Sequence, residues 1–200
     1  VPLFGRVLRR LPLFAAIVLV PAAALAGTPI NERTAADAAG QVEISNISGL
    51  FDVTAWARNE VEVTGELGKG AERLEVSRNG NVVRVKVILP SKSSRTESSE
   101  LSVKLPAGSS LAVNTVSADI GVRGLRGPQR LQSVSGNIRT EAAAEDVECK
   151  TVSGDVNIAG SGQRALLTVT TVSGDAAVTK VAGEVNGNTV SGDFTVAMGE

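Results

Sequence analysis

Thr151-Val152-Ser153-Gly154-Asp155 returns as Thr171-Val172-Ser173-Gly174-Asp175 and Thr189-Val190-Ser191-Gly192-Asp193. Close variants stand at Thr115-Val116-Ser117-Ala118-Asp119 and Ser133-Val134-Ser135-Gly136-Asn137. The motif serines are 18, 18, 20 and 18 residues apart, a fixed period that marks a stacked array. In register, Val116, Val134, Val152, Val172 and Val190 form one apolar column. Ile120, Ile138, Val156, Ala176 and Phe194 form a second, and Val122, Thr140, Ile158, Val178 and Val196 a third. A fourth column, Val113, Leu131, Cys149 and Val169, precedes each motif, with Gly187 as its exception. Alternation of these positions with polar ones is the pattern of half-buried strands.

A coil of 18 residues at roughly 3.3 Å per residue has a contour near 60 Å, too small to enclose a core alone but able to stack on copies of itself. The expected fold is therefore all-β: a right-handed parallel β-solenoid, or β-helix, with the apolar columns as internal stacks. The two extra residues of the long repeat fall in the turn around Gly160-Ser161-Gly162.

Outward from the array, Val42, Ile44, Ile47, Gly49, Phe51 and Val53 read as a degenerate first coil. Between it and the repeats, 60–66, 72–78 and 81–89 alternate like strands. Asn79-Gly80 is a hairpin turn signal, so this region is expected to be antiparallel. Residues 91–99 form a polar loop, and Leu101–Leu105 with Pro106-Ala107-Gly108 leads into the array.

Arg6, Arg9 and Arg10 precede an apolar run from Leu11 to Leu25, and Ala24-Leu25-Ala26 supplies small residues at a cleavage site. That layout predicts a helical signal peptide over 1–26, leaving 174 residues with a net charge of about −4. The expected division is signal peptide 1–26, linker 27–40, an N-terminal β region 41–110 with the first coil and hairpin, and solenoid repeats 111–200. The last copy stops partway round a coil with no polar cap after it. The charge balance gives no reason to expect nucleic acid or an anionic membrane as partner.

Histidine is absent, which removes histidine-based triads and histidine zinc sites, and neither a G-x-S-x-G elbow nor an S-x-x-K pair occurs. Gly160-Ser161-Gly162-Gln163-Arg164-Ala165 matches a dinucleotide fingerprint formally. The next residues, Leu166–Thr170, are strand-like where that chemistry needs a helix N-terminus. Glu141, Glu145 and Asp146 share a turn, where acids are usually solvated. Cys149 shares a column with valine and leucine and is expected to be buried and inert. Trp56 is expected to cover the N-terminal end of the solenoid. No cofactor or metal is expected, the β-roll nonapeptide for calcium being absent.

Parity places the motif Thr, Ser and Asp opposite the apolar columns. The candidate site is accordingly an outward ladder of Ser117, Ser135, Ser153, Ser173 and Ser191 beside Asp119, Asp155, Asp175 and Asp193. Its competing reading is structural, since Ser and Asp beside Gly shape turns. A column of like charges one strand spacing apart also needs something to offset it.

The repeated T-V-S-G-D, the opening N-I-S-G-L-F-D-V-T-A-W at 46–56 and L-P-A-G-S-S-L-A-V at 105–113 together resemble the bacterial putative-adhesin family of β-strand-repeat proteins, over about residues 41 to 200. The resemblance implies a signal-bearing envelope protein with a β-helix fold, similar to the heads of autotransporter adhesins. It carries no catalytic or ligand residues. The functions it leaves in play are a non-enzymatic adhesin or binding scaffold for an envelope protein, surface protein or glycan; a structural periplasmic protein assembling through its open coil end; and, third, a polysaccharide-acting enzyme.

Overall fold

The computed structural model describes residues 27–90, 97–143 and 145–199, and every regular element in them is a strand. The expected signal helix at 1–26 lies outside the described residues. Seven strands precede the repeats: β1 (Thr28–Ala35), β2 (Gln41–Ser45), β3 (Ser48–Trp56), β4 (Glu60–Leu67), β5 (Arg73–Asn79), β6 (Val82–Ile88) and β7 (Ser99–Pro106). The repeats supply β8 (Ser110–Asn114), β9 (Ser117–Arg123), β10 (Gln129–Gln132), β11 (Ile138–Ala142), β12 (Val147–Lys150), β13 (Val156–Gly160), β14 (Arg164–Ser173), β15 (Ala176–Ser191) and β16 (Phe194–Met198).

Each motif joins a strand of one sheet to a strand of the other. Sheet A is ordered β1-β4-β7-β3-β9-β11-β13-β15-β16, and sheet B is β5-β6-β2-β8-β10-β12-β14-β15. Strand β15 serves both sheets, turning at a bulge between Thr179 and Val181 where Lys180 takes φ 55°. From β8 onward all pairings are parallel and in repeat register: Leu131 lies between Val113 and Cys149, and Ile138 between Ile120 and Val156. The result is a 16-stranded, nearly closed solenoid whose interior is filled by the stacked columns. Each fully buried Val, Leu or Ile in them contributes roughly 1.5–3 kcal/mol. Gly187, the gap in its column, is complemented by Phe194, whose ring occupies the space a Cβ on Gly187 would need.

Four expectations are corrected. The first coil, β2 and β3, is not at the end of the stack; it lies between β6–β7 on one side and β8–β9 on the other. The intervening region is antiparallel only in part. β1–β4, β4–β7 and β5–β6 pair antiparallel, whereas β6 and β7 run parallel to β2 and β3 and form a coil of their own. The hairpin turn is Gly80-Asn81, one residue later than expected, because Asn79 pairs with Val82. Gly80, at φ 60°, takes the first central position, the place glycine fills in a two-residue II′ turn.

The fourth correction concerns parity at the motif. Val116, Val134, Val152 and Val172 are 41–45% exposed, while Thr115, Ser133, Thr151 and Thr171 are buried. Strict alternation fails because the coil turns a corner there, with Val and Ser both pointing outward in succession. At two of the motifs the threonine hydroxyl reaches a turn carbonyl, Thr115 Oγ1 donating to Ala118 O and Thr151 Oγ1 to Gly136 O, both at 3.4 Å, whereas the Thr171 and Thr189 hydroxyls are buried without a hydrogen-bond partner. The motif glycine is needed because coils touch backbone to backbone. A Cβ on Gly154 would run into the carbonyl of Gly136, and one on Gly174 into that of Gly154.

Candidate functional site

All five motif serines are exposed at the corner. The next outward column is the aspartates, and its members are linked. The amide N–H of Asn137 donates to Asp119 Oδ1 at 2.8 Å, that of Asp155 to Asn137 Oδ1 at 2.9 Å, that of Asp175 to Asp155 Oδ1 at 3.0 Å, and that of Asp193 to Asp175 Oδ1 at 2.9 Å. Each side chain thus supplies the acceptor that the next coil's amide needs at the point where a sheet A strand begins. Charge-assisted bonds to backbone N–H groups offset the proximity of like charges, and Asn137 interrupts the charge while keeping the acceptor. Within the fold, the aspartate column joins coil to coil.

Beside it, the outer face of sheet A carries a cleft of about 540 Å³. In-register strands place Asp52, Gly121, Arg139, Asn157 and Ala177 side by side across it. Leu50, 45% exposed, stands at one end. Glycine and alanine make the hollow, since neighbouring outward positions carry long side chains. Arg123 Nη2 donates to both oxygens of Asp52 at 2.7 Å, and this hydrogen bond, then the charge of Asp52, raises the Arg123 pKa further. Glu141 Oε2 accepts the N–H of Gly124 at 2.8 Å. The hollow therefore has a small-residue floor and a polar rim in which Asp52, Arg123 and Glu141 are held by hydrogen bonds, suited to holding a surface group by hydrogen bonds and contact. Sequence reasoning passed over Asp52, Arg123, Arg139 and Asn157. The 18-residue register that aligns the core aligns Gly121, Arg139 and Asn157 as well, and would have found them.

No group of three or more His, Cys, Asp or Glu in the described residues could hold a metal ion. Cys149 is buried, and burial pushes its thiol up to about 12. The dinucleotide-like stretch is a turn from β13 into β14, two strands, with Gly162 at φ 78°. Glu145 and Asp146 are solvated on their turn. Trp56 does not cover the end of the solenoid. Its ring lies on the outside of sheet A, 5.1 Å from the Arg58 guanidinium and 5.6 Å from Lys104 Nζ, and its Nε1 donates to Glu60 O. At that end the edge strands of the two sheets are β1 and β5.

The model of the Toastrack DUF4097 family matches residues 43–200, almost the whole of the described solenoid. The chain belongs to the Toastrack DUF4097 family. No curated protein matches it. Among solved structures, this Toastrack chain is similar to a putative cell adhesion protein from Clostridium sporogenes at 10% identity, covering 86% of this chain and 100% of that one, with a TM-score of 0.49. It is also similar to a putative adhesin from Bacteroides fragilis, at 10% identity over 84% and 97% of the two chains, TM-score 0.36. A putative lipid binding protein from Parabacteroides distasonis aligns at 13% identity over 84% and 97%, TM-score 0.40. No helix of the described residues is long and apolar enough to cross a membrane.

Proposed function

We propose that this Toastrack protein is an exported, non-enzymatic binding scaffold of the cell envelope, a right-handed β-helix that presents the outer face of sheet A to an envelope protein, a surface protein or a glycan. Residues 1–26 serve as the signal peptide, 41–110 and 111–200 as the capped and repeating parts of one scaffold, and 27–40, expected as a linker, adds the edge strand β1 to the capped part. The observation that carries the reading is the cleft beside the aspartate ladder: a preformed hollow of about 540 Å³ on a rigid sheet, rimmed by Asp52, Arg123, Arg139 and Asn157. Sites built on strands hold such groups more precisely than sites on loops. With no cofactor and no nucleic acid expected, recognition rests on hydrogen bonds and surface contact.

The test is a binding screen of the purified protein against envelope glycans and matrix proteins, run beside Ala159→Trp, which fills the cleft from an exposed position. Binding by the wild type that Ala159→Trp abolishes supports the reading. Turnover of a polysaccharide, or binding that Ala159→Trp leaves intact, contradicts it. Protease access to a tagged copy on intact cells, compared with cells whose outer barrier is opened, decides between surface and periplasm.

A further inference from the structure

The exposed valines of the motif form a ridge. Ile47, Val116, Val134, Val152, Val172 and Val190 stand on successive coils at one corner, 47%, 45%, 45%, 45%, 41% and 77% exposed. The rows are fixed to one another by the corner amides: Ser117 N–H donates to Ile47 O, Ser135 N–H to Val116 O, Ser153 N–H to Val134 O and Ser173 N–H to Val152 O, at 2.6–2.8 Å. Leu50, 45% exposed, extends the apolar surface from Ile47 toward sheet A. Together these side chains expose about 500 Å², near the upper end of what a typical monomer leaves uncovered in one patch.

From this we infer that the ridge is the contact surface for a second copy of this chain, related by a twofold axis parallel to the ridge. That operation keeps each row at its height and exchanges the two sides of the corner. Two independent features favour it. Within each row the bulky valine lies on the sheet B side and the small serine on the sheet A side, so each valine of one copy comes over the serine of the other. Flanking the ridge on the sheet A side are Asp119, Asp155, Asp175 and Asp193. On the sheet B side stand Ser45, Asn114, Gln132, Lys150, Thr170 and Asn188, with no acid among them. The exchange therefore sets aspartates against polar groups and against Lys150, which pairs with Glu148 on its own strand and stands at the height of the partner's Asp155. A twofold axis across the ridge would instead oppose valine to valine and aspartate to aspartate, and like charges placed opposite one another are destabilising. An apolar strip of this size with its polar flanks gives a two-sided interface near 1,200 Å², the lower end of specific interfaces, so the pairing is reversible. The ridge meets the cleft of sheet A at Leu50 and Asp119, and the inference rests on the valine row, which does not line the cleft.

Sedimentation equilibrium of the purified protein from about 1 to 500 µM tests it. The expected result is a monomer–dimer equilibrium in the micromolar range, weakened at least tenfold in the double variant Val134→Glu/Val152→Glu with its thermal unfolding unchanged. A wild type that stays monomeric throughout, or a folded double variant that associates equally well, overturns the inference. Should that variant not fold, disulfide formation decides. Mixing Val152→Cys with Ser153→Cys should give mixed disulfides in excess of those that Val152→Cys forms alone. Equal or greater self-linking of Val152→Cys contradicts the axis.

Discussion

The carboxylate of Asp155 accepts the amide N–H of Asp175 at 3.0 Å, twenty residues on in sequence and one coil on in the stack. The aspartate column repeats this bond from Asp119 to Asp193, which gives the recurring last residue of each motif a structural purpose: it closes the start of each sheet A strand. Asp155→Ala should lower stability by about 1 kcal/mol, the net worth of one such bond at an exposed site. Asp155→Asn should be nearly neutral, because Asn137 already fills the same role one row earlier. Urea unfolding midpoints of the two variants check the pair.

Gly154 tests backbone contact between coils. Its Cβ position is blocked by the Gly136 carbonyl, so Gly154→Ala should cost about 3 kcal/mol or more, since the obstacle is backbone that cannot rotate away. Gly162→Ala, at φ 78° with open space around it, should cost only about 1 kcal/mol. Thermal melts of both variants should separate them clearly.

Cys149 gives a pH signature. Burial first, and then the charge of Glu148, push its thiol up to about 12, against an ordinary value of 9.0. The folded state therefore stays protonated while the unfolded state ionises, and stability should fall as pH rises from about 9 toward 12. Cys149→Val, which matches its column neighbour Val169, should remove that slope. Thiol reagents at about pH 8 should label the native protein only as fast as it opens.

At the opposite limb, Glu62 is buried between Lys104 Nζ at 2.9 Å and Arg33 Nη2 at 2.5 Å. The hydrogen bond from Lys104 first, partly opposed by burial and aided by Arg33, holds its pKa below the ordinary 4.5. The unfolded chain takes up this proton at higher pH than the folded one, so the stabilisation is complete above about 4.5 and is lost as pH falls. Glu62→Gln should lower stability at neutral pH and flatten the acid side of a stability-against-pH curve. An acid limb identical to that of the wild type would contradict the assignment.

The core of the array was legible because its residues repeat. Ile120, Ile138, Val156 and Ala176 lie in one buried column, as the 18-residue register requires. The corner was not legible, because a period of two has no place for consecutive outward residues. Val152 and Ser153 both point out where the chain bends between sheets. Nor was the position of β2 and β3 within the stack: a strand takes whichever edges fit, and nothing in Val42–Ile44 shows that both its neighbours, β6 and β8, come later in the chain. The cleft was legible in principle from the column Gly121, Arg139 and Asn157, but the motif's own serines and aspartates are the louder signal and drew the reading to the corner instead.

Amide hydrogen exchange tests most directly the claim that the motif exists to lock coil to coil. The N–H groups of Asn137, Asp155, Asp175 and Asp193 should exchange slowly in the wild type although three of the four residues are exposed. In Asp155→Ala the Asp175 amide alone among them should lose most of its protection, while the amide of residue 155, held by Asn137, keeps its own. Fast exchange at all four positions in the wild type, or an Asp175 amide still protected in Asp155→Ala, would contradict the account.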